Sequence, residues 1–145
     1  MRCLIDTNIL IRAVNTSDPQ HVLVRGALLK LTQRGDQICV AAQSIYEFWV
    51  VASRPVKVNG LGWSLPELRD TVDALGVQFE RMPDTADLYP VWLDLVTRHG
   101  VSGKPAHDAR LAAVALVHRF DALLTLNGSD FKRYGLNVLS PTELK

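Results

Sequence analysis

Met1-Arg2-Cys3-Leu4-Ile5-Asp6-Thr7-Asn8-Ile9-Leu10-Ile11 is the stretch on which the reading of this chain turns. A short apolar run that stops on Asp-Thr-Asn predicts a buried strand ending in a turn, with the Asp6 carboxylate at the strand's carboxyl edge. In an open α/β sheet that edge is where ligands bind. Asp6 equally suits the N-cap of a following helix, with Thr7 or Asn8 supporting the turn. The stretch alone leaves both roles open.

Working outward, Ser17-Asp18-Pro19 predicts a helix start, and Val22, Leu23, Ala27, Leu28 and Leu31 recur at helical spacing until about Arg34, before Gly35. Ile38-Cys39-Val40-Ala41-Ala42 is a second continuous apolar run, as expected of a strand buried on both faces and parallel to the first. Ser44-Ile45-Tyr46-Glu47 opens the next helix with Ser-x-x-Glu spacing. That spacing is a capping box, in which Glu47 reaches back to the N-cap amide, but it also puts Glu47 at the same sheet edge as Asp6.

Ser64 starts a further helix with Glu67 as its capping partner, and Asp70 and Asp73 read as a solvated face. Val77–Met82 alternates enough to predict a third strand, and Asp84-Thr85-Ala86-Asp87 caps a helix to about His99. Pro105 opens another helix, on which Asp108 shares a face with Leu111, Ala112 and Ala115 and so points inward. Arg110 points elsewhere on that helix, and His107 reads as a surface or rim residue rather than a ligand. Ala122–Leu126 is a fourth strand, followed by the turn signal Asn127-Gly128 and then Asp130, which can cap the short turn at Phe131. Val138-Leu139 is a short fifth. The alternation of strands and helices predicts an α/β fold, an α/β/α sandwich around a mainly parallel sheet of four to five strands, in one domain over residues 1–145.

Composition narrows the function classes. A chain of 145 residues, 48% apolar, supports one core and not two. A net charge of +1 confines any nucleic-acid contact to a local patch. Cys3 and Cys39 fall inside strands, which suits free thiols in a reducing compartment, with the cytoplasm as the default. No apolar run approaches the roughly 20 residues of a membrane span, so no membrane association or export is expected.

Asp6, Glu47, Asp108 and either Asn127 or Asp130 converge on one sheet edge. Two carboxylates about 4 Å apart repel by roughly 4 kcal/mol at an effective dielectric of 20, so such a cluster needs a cation or raised pKa values. Oxygen donors select Mg²⁺ or Mn²⁺, whereas zinc would want His or Cys. A hard cation there can polarise a phosphoryl oxygen and activate water.

The pieces Leu4–Leu10, Ser44–Phe48, His107–Ala113 and Leu124–Phe131, in this order and spanning nearly the whole chain, resemble the PIN-domain ribonucleases, and among them the VapC-type toxins of toxin–antitoxin pairs. The resemblance implies a PIN-like sandwich and Mg²⁺- or Mn²⁺-dependent cleavage of RNA. It matches Asp6, Glu47 and Asp108 to the family's metal-binding acids. Thr7, Asn8, Thr125 and Asn127 are candidates for orienting those carboxylates. Where many relatives carry an acid two residues after the strand threonine, this chain has Asn127, so the fourth acidic role is weakened or passes to Asp130. The resemblance also implies an antitoxin partner and a homodimer, and Tyr46, Trp49, Trp63 and Trp92 are compatible with a groove that an antitoxin segment fills. Two rival readings are a PIN-fold interaction module without turnover and a haloacid-dehalogenase-like phosphatase. The second would carry another Asp where this chain has Asn8.

Overall fold

The computed structural model describes residues 1–144. Five strands, β1 (Arg2–Ile5), β2 (Gln37–Ala41), β3 (Glu80–Met82), β4 (Ala122–Leu124) and β5 (Val138–Leu139), form one sheet in the order β3-β2-β1-β4-β5. Every pair is parallel. From β1 the chain builds outward to β2 and β3, then returns to the other side of β1 for β4 and β5. The strand order therefore reverses between β1 and β4, and in such sheets the carboxyl ends at the reversal form the ligand crevice.

Six helices of eight or more residues connect the strands: α1 (Thr7–Val14), α2 (His21–Gln33), α3 (Ala42–Ser53), α4 (Leu65–Gln78), α5 (Leu88–Arg98) and α6 (Pro105–Val117). Successive residues of β1 face opposite sides of the sheet, which separates two cores. Cys3 and Ile5 pack with Ile9, Leu10, Leu28, Leu31, Phe48 and Leu68 from α1 to α4. Leu4 packs with Leu88, Leu95, Leu111 and Ala112 from α5 and α6, and with Phe131. The expected α/β/α sandwich is thus observed, with five strands, all parallel. Cys3 and Cys39 are free and buried, and burial pushes the Cys3 thiol up to about 12, which leaves it inert. No helix among the described residues is long and apolar enough to cross a membrane.

Several boundaries differ from the sequence expectations. Helix α2 begins at His21 and not at Pro19, because Asp18 bonds the Gln20 amide within a turn. Val22 is 81% exposed, and Val24 takes the buried position assigned to it. Helix α4 runs on to Gln78, with Leu75 buried and Val77 facing water, so β3 starts only at Glu80. The strand expected over Ala122–Leu126 stops at Leu124, leaving Thr125 at the sheet edge.

The largest revision concerns α3. It begins at Ala42, behind an Ala41 N-cap with no side-chain bond, so Ser44 lies inside the first turn and does not cap it. Its hydroxyl is buried without a hydrogen-bond partner. Glu47 is consequently in the second turn, and the capping-box reading of Ser44 and Glu47 is wrong.

Candidate active site

The parallel register brings the site together. Ile5 of β1 is aligned with Leu124 of β4 on one side and Val40 of β2 on the other. The residues that follow, Asp6, Thr125 and the start of α3, therefore meet at one edge. The Asp6 amide closes the ladder on the Leu124 carbonyl at 3.0 Å.

Asp6 caps the helix that follows it and also stands at the carboxyl edge of β1. Its Oδ1 accepts from the Thr7 amide at 2.6 Å and caps α1. Its Oδ2 accepts from the Thr125 hydroxyl at 2.7 Å and from Asn8 Nδ2 at 2.9 Å. Asn8 can donate there because its Oδ1 is fixed by the Leu126 amide at 3.2 Å, which turns the NH₂ toward Asp6 and Thr125. Thr125 Oγ1 accepts in turn from the Asn127 amide at 3.0 Å. A second Asp in place of Asn8 would set a carboxylate against Asp6, so this arrangement favours Asn and disfavours the phosphatase reading.

Asp6 is only 9% exposed. Burial pushes its carboxyl up to about 6, against the pull of the Thr125 and Thr7 bonds, and the charges of Asp108 and Glu47 push the same way. Asp108, half-buried at the start of α6, is also raised: burial is the largest cause, followed by the charges of Asp130 and Glu47, with His107 and Arg133 opposing. The charges of Asp108 and Glu47 thus bear on Asp6, and those of Asp130 and Glu47 on Asp108. Asp130 ends a 3₁₀ turn, Gly128–Asp130, and is exposed.

Glu47 is held by two neutral donors. The Thr7 hydroxyl donates to Oε2 at 2.6 Å and Gln43 Nε2 donates to Oε1 at 2.8 Å. Gln43 lies outside the motifs that mark the acids, although it stands four residues before Glu47, a spacing that pairs side chains on a helix. Placing the helix start at Ala42 would have exposed that signal. Arg110 is also closer to the site than expected: Nη1 donates to Gln43 Oε1 and Nη2 to Asp84 Oδ2, each at 2.9 Å. Asp84 is therefore a partner of α6 and not a cap of α5.

Among the described residues, no three Asp, Glu, His or Cys side chains are close enough as placed to grip a single ion. The acids are separate oxygen donors with no His or Cys among them, and in its chemistry that donor set suits a hard cation. Next to His107 and Arg110, the residues Leu88, Tyr89, Trp92 and Ala106 line a mostly apolar cleft of about 520 Å³, with Asp84 also in its wall. Of the four aromatics proposed for a groove only Trp92 lines this cleft. Trp63 packs edge-on against Phe48, and Tyr46 is 61% exposed.

A model of the PIN domain matches residues 3–136. The chain belongs to the PIN domain family. No curated protein matches it by sequence. Among solved structures, this PIN domain is similar to a chain of a VapBC complex from Rickettsia felis bound to promoter DNA, at 19% identity and a TM-score of 0.70, covering 97% of this chain and 98% of that one. A toxin–antitoxin complex from Klebsiella pneumoniae gives 24% identity and a TM-score of 0.65, covering 96% and 97%. A VapC from Mycobacterium tuberculosis, described as a toxin that cleaves the sarcin–ricin loop, gives 19% and 0.66, covering 92% and 95%. At these identities the likeness is one of fold, and it extends over the full length of the PIN domain.

Proposed function

We propose that this chain, as a single PIN domain over residues 1–145, is a Mg²⁺- or Mn²⁺-dependent endoribonuclease of the cytoplasm. In this reading it is the toxin of a toxin–antitoxin pair, active as a homodimer and inhibited by its antitoxin. The observation that carries the chemistry is Asp6: a buried carboxylate at the strand-order reversal, its pKa raised to about 6, with Asp108 and Glu47 adding negative charge beside it. Such a group either takes up a proton or takes up a cation. The partner reading rests on the VapBC and toxin–antitoxin complexes among the similar folds.

Asp6 and Asp108 would hold the principal ion, and Glu47 would contact it directly or through the attacking water. When bound, the ion supplies Lewis-acid polarisation of a phosphoryl oxygen and a lowered pKa for water. The protein residues do the rest. Thr125 and Asn8 keep Asp6 Oδ2 directed at the edge, and Glu47, fixed by Thr7 and Gln43, orients the water for in-line attack on phosphorus. Asp130, whose charge bears on Asp108, would fill the fourth acidic position, with Asn127 bracing Thr125 through its backbone.

Incubating purified protein with RNA, with Mn²⁺ or with chelator, and mapping the new ends tests this reading. Cleavage by wild type that requires the metal and is absent in Asp6→Ala is the expected result. Metal-independent cleavage, or equal cleavage by Asp6→Ala, would overturn it.

A further inference from the structure

Resting on the metal-nuclease reading, we propose that Gln43 and Arg110 are positioning residues that hold the Glu47 carboxylate at the acid edge without neutralising its charge. The contacts form one chain. Asp84 Oδ2 accepts from Arg110 Nη2 (2.9 Å), and Arg110 Nη1 donates to Gln43 Oε1 (2.9 Å). Gln43 Nε2 then donates both to Glu47 Oε1 (2.8 Å) and to the His107 carbonyl (2.8 Å).

A primary amide has two chemically opposite ends, and here each end meets its complement. The NH₂ faces two acceptors, the carbonyl faces a guanidinium, and the reversed orientation would set oxygen against carboxylate and NH₂ against guanidinium. Arg110 thus fixes which end of Gln43 points at Glu47. Gln43 is buried, so a misdirected amide would find no water to compensate it.

The indirect contact has an electrostatic purpose. A guanidinium bonded directly to Glu47 would occupy the carboxylate and cancel the charge a cation must meet. Instead the positive charge of Arg110 is balanced by Asp84 at the rim, and only a neutral amide reaches Glu47. The Thr7 hydroxyl, on the other oxygen, is neutral as well. Glu47 is therefore oriented from both sides by donors that leave its charge intact. The chain also links α6 to α3, which fixes the distance between the elements carrying Asp108 and Glu47.

The test compares wild type, Gln43→Leu, Arg110→Met and the double variant by Mn²⁺ titration calorimetry, steady-state RNA cleavage and thermal melting without metal. The single changes are each expected to weaken Mn²⁺ binding about tenfold and to lower kcat with little change in the KM for RNA, the usual size for groups that orient a metal-binding carboxylate. The double variant should be no worse than the worse single, because both residues act through one chain. Arg110→Lys, which keeps one donor, should recover part of the loss. Unchanged Mn²⁺ affinity in Arg110→Met, or single losses that multiply to about a hundredfold in the double variant, would overturn the proposal while leaving the nuclease reading in place. Wild type that neither binds Mn²⁺ nor cleaves RNA would overturn the nuclease reading, and this one with it.

Discussion

The Thr7 hydroxyl donates to Glu47 Oε2 over 2.6 Å, joining two residues 40 positions apart and tying the first turn of α1 to the second turn of α3. Thr7→Val removes the donor at nearly constant volume. It should cost about 1 kcal/mol of stability, the net value of such a bond, and lower RNA cleavage about tenfold as Glu47 loses one of its two restraints. Thr7→Ser should retain most of both. Urea unfolding and single-turnover cleavage of the three proteins check this, and equal cleavage rates in all three would remove Thr7 from the site.

Asp6 makes the metal-free protein less stable at neutral pH than at mildly acid pH. The folded state releases the Asp6 proton at about 6, whereas the ordinary value is 3.8. Between these values the folded chain binds more protons than the unfolded one, so stability falls as pH rises through the window. The cost of ionising Asp6 in the fold is on the order of 3 kcal/mol at pH 7. Urea midpoints in chelator should therefore be higher at pH 5 than at pH 7, and Asp6→Asn should flatten that difference. Mn²⁺ at pH 7 should restore much of the loss in wild type. A pH dependence identical in wild type and Asp6→Asn would assign it to other groups.

Ser44 distinguishes the two descriptions of how α3 starts. A capping serine loses about 1 kcal/mol on replacement by Ala. Ser44 instead lies inside the helix with its hydroxyl buried and unpartnered, so Ser44→Ala should leave stability unchanged or raise it. A loss of 1 kcal/mol or more by chemical denaturation would return Ser44 to the cap.

Asp130 acts on Asp108 more strongly than any other charge does. If it supplies the fourth acid, Asp130→Asn should raise the Mn²⁺ concentration for half-maximal cleavage about fivefold, the equivalent of about 1 kcal/mol. Asn127→Asp, which restores the acid common in relatives, should tighten binding. Wild-type metal dependence in both variants would mean that Asp6, Glu47 and Asp108 suffice.

The sequence revealed the acids more readily than what holds them. Asp6 and Asp108 follow a strand or open a helix on an apolar face, and such positions are visible in local pattern. The start of α3 was not, because Ala41 caps nothing with its side chain and Ser44 offered a stronger local signal three residues later. Exposed Val77 on the last turn of α4 mimics strand alternation, so the sequence pattern starts β3 too early. The grouping of Gln43, Arg110 and Asp84 is invisible in the sequence for a different reason. Arg110 meets Gln43 across 67 residues and Asp84 across 26, and no local spacing records such pairings.

The central place of β1 in the sheet sets the order in which the protein can mature. The first strand made is the one that needs partners on both sides, and the Thr125 hydroxyl that braces Asp6 lies 119 residues further along the chain. During synthesis β1 can pair with β2, and β2 with β3, but the other edge of β1 stays open until β4 arrives. Contacts so distant in sequence form late and slowly. The bond that braces Asp6 therefore awaits the synthesis of β4, so a truncated product that stops before Thr125 can carry Asp6, Glu47 and Asp108 and still lack the site.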